Sequence, residues 1–268
     1  MNAPPPIPQM LSLKGRIALV TGGCQNFGWE IATGLAEAGA NVAVTSREAD
    51  KATAAAARLA KAHGVKTLGV PMNLRDEASV AAAFRAVVEG LGPPDILVNN
   101  AGGHAPATGK LETETLESWQ TFVDINLTGT FLCIREAARL MMPRKGGAIV
   151  NIASVSSLVG RDRSVYAGTA MKNPVAYTAS KAGVLGLTFD SSAYLGAHGI
   201  RVNAISPGGF ERGQPASFVK AYSSRTMNGR MGRDGWDLKG AVVFLASDAA
   251  AYVTGHNLVV DGGFTRFK

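Results

Sequence analysis

The sequence predicts an α/β fold: one doubly wound, parallel seven-stranded sheet with helices on both faces. Three observations predict it. Short apolar runs alternate with helical segments along almost the whole chain, a glycine-rich stretch directly follows the first of those runs, and 268 residues with 46% hydrophobic content suffice for one large core. With no internal repeat or interdomain linker, residues 13–268 are read as a single domain.

The elements follow in order. MNAPPPIPQM is proline-rich, so residues 1–12 are read as a flexible arm unable to form a helix. RIALV at 16–20 has the continuous apolar character of a parallel strand buried on both faces. A helix is expected from about Phe27 to Ala38, with Gly39 ending it. NVAVTS at 41–46 is the second strand, and the alanine-rich segment from Glu48 to Ala62 the second helix. KTLGVPM, DILVNN, GAIVNIA, IRVNAIS and NLVV supply five more strands, with helical segments near 76–89, 115–142, 174–197 and 237–246. In such a fold the ligand is expected at the carboxyl ends of the strands.

Composition excludes several classes of function. The net charge is +7, yet the lysines and arginines are scattered without a basic tract, which argues against nucleic acid and suits an anionic small molecule or plain solubility. No apolar run approaches the roughly 18 residues of a membrane span. The N-terminus lacks the plan of a secretion signal, so a cytoplasmic protein without a membrane partner is expected. Cys24 and Cys133 lie far apart without ligand spacing, so no metal and no disulfide are expected.

TGGCQNFG at 21–28 stands where a phosphate-binding loop would, between the first strand and the first helix. Glycines let the backbone approach a pyrophosphate, and the helix start offers N–H groups and a positive dipole end. Gly22, Gln25, Asn26, Phe27 and Gly28 are therefore candidate cofactor contacts. Asn26 replaces the glycine of the commonest pattern, and asparagine is the next-best residue for a left-handed backbone. The plain alternative is a turn that merely joins strand to helix. The second strand ends in Thr45, Ser46 and Arg47, without the acid that usually holds the ribose 2′-hydroxyl of NAD. The missing acid and the following arginine favour NADP over NAD, with Ser46 and Arg47 at the adenosine end; Arg47 could equally be a solvated residue.

YTASK at 177–181 places a phenol and an ammonium one helical turn apart. Taken alone, this is most often a lysine stem covering a ring at the surface. Its context changes that reading. TGGCQNFG, NNAG at 99–102, DINLTG at 124–129, NIAS at 151–154, YTASK, NAISPGG at 203–209 and YVTGHNLVVDGG at 252–263 fall in one order over nearly the whole chain. In this the sequence resembles the short-chain dehydrogenase/reductase family. The resemblance implies a Rossmann-type fold, an NAD or NADP cofactor, and a catalytic tetrad of Asn126, Ser154, Tyr177 and Lys181.

The chemistry explains those residue types. Hydride transfer at a carbon requires a proton to leave or join its oxygen, so an acid/base must touch that oxygen. A free phenol titrates near about 10, and a neighbouring ammonium with an oxidised nicotinamide close by favours the phenolate. Ser154 would steady the reacting oxygen. Asn126, inside a long helix, would kink it and hold a water relaying protons to Lys181. The resemblance also places Asn73 and Leu74 near the adenine, Asn100, Ala101 and Gly102 over its ribose, and Pro207, Gly208 and Phe210 near the nicotinamide; Tyr177 and Lys181 count among the cofactor contacts too. Asn73 stands where the family more often has aspartate.

One departure bears on substrate. Family members have about a dozen residues between the serine and the tyrosine, and here there are 22. The insertion GRDRSVYAGTAMKNP loops over the substrate side, and loops on rigid scaffolds carry specificity. Substrate loops are expected at about 158–175 and 210–232, the second acting as a lid. Candidate substrate residues are His104, Ser156, Arg161, Arg163, Tyr166, Lys172 and Arg212, with one of the cations meeting a substrate anion. The insertion looks like that of gluconate 5-dehydrogenase-like members, which implies interconversion of a secondary alcohol and a ketone, or of a hemiacetal and a lactone, on a sugar, sugar acid or polyol. Reduction of a 3-oxoacyl thioester and an inactive nucleotide-binding regulator are the alternatives. The long helices around Asn126 and Tyr177 and the C-terminal segment resemble surfaces by which the family forms homotetramers.

Overall fold

The computed structural model describes residues 4–102 and 109–266. Seven strands form one parallel sheet: β1 (Ile17–Val20), β2 (Asn41–Ser46), β3 (Thr67–Pro71), β4 (Ile96–Asn99), β5 (Gly147–Ile152), β6 (Ile200–Pro207) and β9 (Asn257–Val260). They lie in the order β3-β2-β1-β4-β5-β6-β9, and each falls on one of the apolar runs. The two remaining strands, β7 (Phe210–Glu211) and β8 (Gly232–Arg233), pair only with each other.

Alternate residues of each strand feed opposite cores, which is why the runs are continuously apolar. Ala18 and Val20 of β1, with Ile96 and Val98 of β4, pack against Ile31 and Leu35 of α2 (Asn26–Glu37), Leu59 of α3 (Ala49–His63) and Val242 of α9 (Lys239–Ala246). Leu19 and Leu97 face the other way, onto Phe84 and Val87 of α4 (Glu77–Gly90) and Leu132 and Met141 of α6 (Gly129–Met141). The strand order reverses between β1 and β4, so the loops after them, Thr21–Gly28 and Asn100–Gly102, open side by side at the carboxyl edge.

The N-terminal expectation needs one correction. Ile7–Met10 forms a single helical turn, α1, with Pro6 before it and Pro8 inside its first turn. A proline there loses nothing, because the first N–H groups of a helix have no intrahelical partner. The region expected to be one helix over 115–142 is α5 (Leu116–Val123), a π-helical segment at Asp124–Thr128, and α6. α7 (Val175–Gly196) carries Tyr177 and Lys181.

Candidate active site

The glycine loop is braced from three sides. The Gly22 N–H donates to Thr45 Oγ1 (3.2 Å), Asn100 Nδ2 donates to the Thr21 and Gly22 carbonyls (2.9 and 3.2 Å), and the Asn100 and Ala101 N–H groups both donate to Thr21 Oγ1 (3.0 and 2.9 Å). Asn100 thus spends its side chain on holding the loop. Asn26 sits at φ +50° as the first residue of α2, the left-handed conformation that asparagine tolerates. Gln25, the cap residue, makes no side-chain hydrogen bond to the first turn, which contains no acid. The positive end of α2 is therefore open to an anion. Gly28 has no room for a side chain: a Cβ would lie 2.0 Å from the Gly22 carbonyl oxygen.

Ser46 accepts from the Glu48 N–H (3.2 Å) at the end of β2. Arg47 beside it is exposed and, among the described residues, forms no ion pair; Glu48 is taken by Lys51 (2.7 Å). Asn73 Oδ1 accepts from the Arg75 N–H (3.2 Å), and its own N–H donates to Ser79 Oγ (3.0 Å). The Leu74 side chain is buried in the core against α6.

The polar cluster lies at the carboxyl ends of β4 and β5. Asn126 sits in the π-helical segment, an insertion that breaks the regular ladder at this residue. Its Nδ2 donates to Ser180 Oγ (3.0 Å), and Ser180 Oγ donates to the Tyr177 carbonyl (2.9 Å), joining that segment to α7. Lys181 is buried, and its Nζ donates to the Ile152 carbonyl (2.6 Å) at the end of β5. A Cβ built on Gly102 would meet Asn126 Oδ1 at 3.1 Å and Lys181 Nζ at 3.7 Å, so the bare glycine leaves a gap that both polar atoms face. Ser154 Oγ accepts from the Ser156 N–H (3.2 Å) and lies 3.0 Å from Ser156 Oγ, which makes Ser156 a support for Ser154.

The electrostatics differ from the expectation in one respect. Burial is the largest effect on Tyr177 and pushes its phenol above the ordinary value; the Ser154 hydroxyl and then the Arg161 guanidinium, 5.3 Å from the ring centroid, act to lower it. Lys181 is itself held down to about 8 by burial. In the protein alone burial favours the protonated phenol, and the nearby cation acting against that belongs to the insertion.

A cavity of about 280 Å³ opens over Ser154 and Tyr177, walled by the insertion and by residues of the 210–232 segment. Of the expected substrate residues, Ser156, Arg161, Tyr166 and Lys172 line it; Lys172 is exposed. Arg163 is exposed and donates to the Gly109 and Asn173 carbonyls (both 3.4 Å). Arg212 is held by Asp234 (Nε–Oδ1 2.7 Å) and stacks 3.8 Å over Phe27, whose ring meets Phe210 edge-on at 4.7 Å. Phe27, Phe210 and Arg212 thus tie the glycine loop to the 210–232 segment. His104 lies outside the described residues. Pro207 ends β6, and Gly208 and Gly209 pass so close to Asp261 and Tyr222 that Cβ atoms there would lie 2.9 and 2.7 Å from them.

Several contributors carried no local signal. Tyr222 of α8 (Ala216–Ser223) accepts from the Gly209 N–H (2.6 Å) and stacks on Phe264 at 4.5 Å, closing the far wall. Asp162 pairs with Arg225, pinning the insertion to the 210–232 segment. Beneath the site, buried Asn99 donates to Asn151 (2.8 Å), and Asn151 to Thr188 Oγ1 (2.9 Å), locking α7 to β4 and β5. Asparagines inside otherwise apolar strands were the available hint, since a buried amide must find partners.

A family profile described as enoyl-(acyl carrier protein) reductase matches residues 22–265, within the wider dehydrogenase/reductase family. The chain belongs to the short-chain dehydrogenase/reductase family. D-threitol dehydrogenase of Mycolicibacterium smegmatis is 40% identical over 94% of this chain and 94% of that protein. The 3-oxoacyl-[acyl-carrier-protein] reductase of Aquifex aeolicus is 35% identical over 94% of this chain and 98% of its own. Among solved structures, a gluconate 5-dehydrogenase from Burkholderia cenocepacia in complex with NADP and tartrate superposes with a TM-score of 0.87 at 34% identity, covering 96% of this chain and 98% of that one.

As a short-chain dehydrogenase/reductase the protein is an oxidoreductase acting on CH–OH groups with a nicotinamide dinucleotide. The residues present fit that group: an open helix N-terminus without an acid, a glycine loop with no space for side chains, and a gap beside Lys181 that Gly102 leaves unfilled. No described helix is long and apolar enough to cross a membrane, and no group of three or more potential metal ligands occurs among the described residues.

Proposed function

We propose that the protein interconverts a secondary alcohol and a ketone on a sugar, sugar acid or polyol, with Tyr177 as the acid/base. The observation that carries this is the arrangement of Ser154 and Tyr177 on the wall of a cavity that also holds tyrosines and cations, with Lys181 buried one helical turn beyond Tyr177. When bound, the nicotinamide ring accepts or donates the hydride. In the oxidative direction the substrate hydroxyl proton passes to Tyr177 as the C–H bond gives up its hydride; in the reductive direction Tyr177 returns that proton to the carbonyl oxygen. Ser154 bonds the reacting oxygen as its charge changes, and Ser156 holds Ser154 in place. Lys181 would hold the nicotinamide ribose, and Asn126 would position a water relaying protons to Lys181.

A bound cofactor would be held by Gly22, Gln25, Asn26, Phe27 and Gly28 at the pyrophosphate, by Asn73, the Leu74 backbone, Ala101 and Gly102 along the adenosine, and by Pro207, Gly208 and Phe210 at the nicotinamide. NADP is the preferred form, because Arg47 is exposed, lacks an acidic partner, and follows a strand end without an acid. A spectrophotometric screen at the absorbance of reduced nicotinamide, offering NADP and NAD separately with sugar acids, aldoses, polyols and 3-oxoacyl thioesters, tests the reading. Turnover of a polyhydroxy substrate, faster with NADP, is the expected result. Turnover of thioesters alone would establish the second reading, which the Aquifex aeolicus relative favours. Cofactor binding with no turnover on any class would leave a nucleotide-binding regulator.

The working form is a homotetramer. Phe131 on α6 and Phe189 and Tyr194 on α7 present large apolar side chains to solvent along the two long helices. Light scattering is expected to give about four times the chain mass of 27.8 kDa, and a species of one chain mass would contradict it.

A further inference from the structure

Four cations were candidates for meeting a substrate anion, and the structure separates them. Arg212 is paired with Asp234, Arg163 is exposed and bonded to carbonyls, and Lys172 is exposed on the rim. Arg161 is different. Its Nη1, like Arg212 Nη2, is buried without a hydrogen-bond partner, but Arg212 has the Asp234 carboxylate beside it, whereas among the described residues no carboxylate pairs with Arg161. The acid next in sequence, Asp162, is turned to Arg225 and also accepts from the Ser164 N–H and hydroxyl (2.9 and 2.6 Å). What Arg161 faces is the ring of Tyr177 at 5.3 Å and the cavity shared with Tyr166 and Ser154.

A guanidinium stays charged throughout the working pH range, so its burial without a counter-ion is costly. Contact with a phenol ring offsets only part of such a cost and leaves the donor fork unused. That fork matches a carboxylate in two parallel bonds.

We propose that Arg161 is the anion receptor of the active site: it takes a carboxylate of the substrate and so holds the neighbouring carbinol or carbonyl carbon against Tyr177 and Ser154. The substrate class is then a hydroxy or oxo acid, with the carboxylate a few bonds from the reacting carbon. This rests on the proposed alcohol–ketone chemistry at Tyr177 and narrows its substrate. It also gives the longer serine-to-tyrosine segment a purpose. The insertion carries the receptor, and the Asp162–Arg225 pair draws the adjacent acid away from it.

The test compares D-gluconate with D-glucitol, which share their stereocentres and differ in bearing a carboxylate or a hydroxymethyl group at one end. Each is titrated calorimetrically into the complex of the protein with oxidised cofactor. Gluconate is expected to bind the native complex at least about tenfold more tightly. Arg161→Gln should lower gluconate affinity at least about tenfold more than glucitol affinity, and Arg161→Lys, which keeps the charge without the fork, should recover part of the loss. The Lys variant serves alone if the Gln variant does not fold, the expected result then being a partial loss confined to gluconate. Equal affinities for the two ligands in the native complex, undetectable binding of both, or equal losses in the variants would overturn the receptor. Cofactor reduction by neutral polyols in the same preparations would then leave the alcohol–ketone reading standing, whereas its absence across all substrate classes would remove that reading as well.

Discussion

Tyr177→Phe is expected to lower kcat and kcat/KM together by roughly a thousandfold, within the range that general acid–base catalysis supplies. The variant removes one oxygen and leaves the ring. Its edge contact with Phe122, at a centroid distance of 6.5 Å, and its stacking with Arg161 remain, so folding and cofactor affinity should change little. Steady-state rates with the substrate found in the screen, set beside fluorescence titration with reduced cofactor, read the two effects separately. A loss of less than tenfold would assign the proton to another group. A loss matched by an equal fall in cofactor affinity would make Tyr177 a binding residue only.

Gly28→Ala is expected to weaken cofactor binding at least about a hundredfold and to lower stability by about 1–3 kcal/mol. The added Cβ would meet the Gly22 carbonyl oxygen at 2.0 Å and Asn100 Nδ2 at 2.6 Å. The first is backbone and cannot rotate away, and the second already spans the Thr21 and Gly22 carbonyls. Either the glycine loop or the start of α2 has to move, and both form the proposed pyrophosphate site. Gly186→Ala in α7 is the control, because nothing lies within 4 Å of a Cβ there and alanine favours the helix. Thermal melts and cofactor titrations of both variants decide the matter. Binding by Gly28→Ala within about threefold of the native protein would show that this loop does not cradle the cofactor.

The sheet was legible because its signal is local. An apolar run such as IALV is buried on both sides whatever surrounds it, and its alternating residues divide between the two cores. Asn26 was legible for a similar reason: its left-handed backbone depends on its own side chain and that of few neighbours. The break at Asn126 was expected as a kink and is a π-helical segment. What could not be read depends on pairings distant in sequence. Nothing near Asp162 announces Arg225, 63 positions on, and nothing in DILVNN or GAIVNIA announces that Asn99 and Asn151 bond each other. Selecting Arg161 from four cations depends on Arg212 being paired with Asp234, Asp162 being paired with Arg225, and Arg163 and Lys172 being exposed. The turn at Ile7–Met10 was missed because proline was treated as a helix breaker at a position where it loses nothing.

The electrostatics of Tyr177 bind these parts together. Burial holds its phenol protonated in the free protein, with Ser154 and Arg161 pulling the other way and Lys181 depressed to about 8. The positive charge of an oxidised cofactor bound beside it would favour the phenolate further. The direct measurement is ultraviolet titration of tyrosinate, taken as the native protein minus Tyr177→Phe, without cofactor and in the complex with oxidised cofactor. The account predicts a phenol that titrates above about 10 in the free protein and at least about one pH unit lower in the complex. A phenol that titrates at the same pH in both would contradict it.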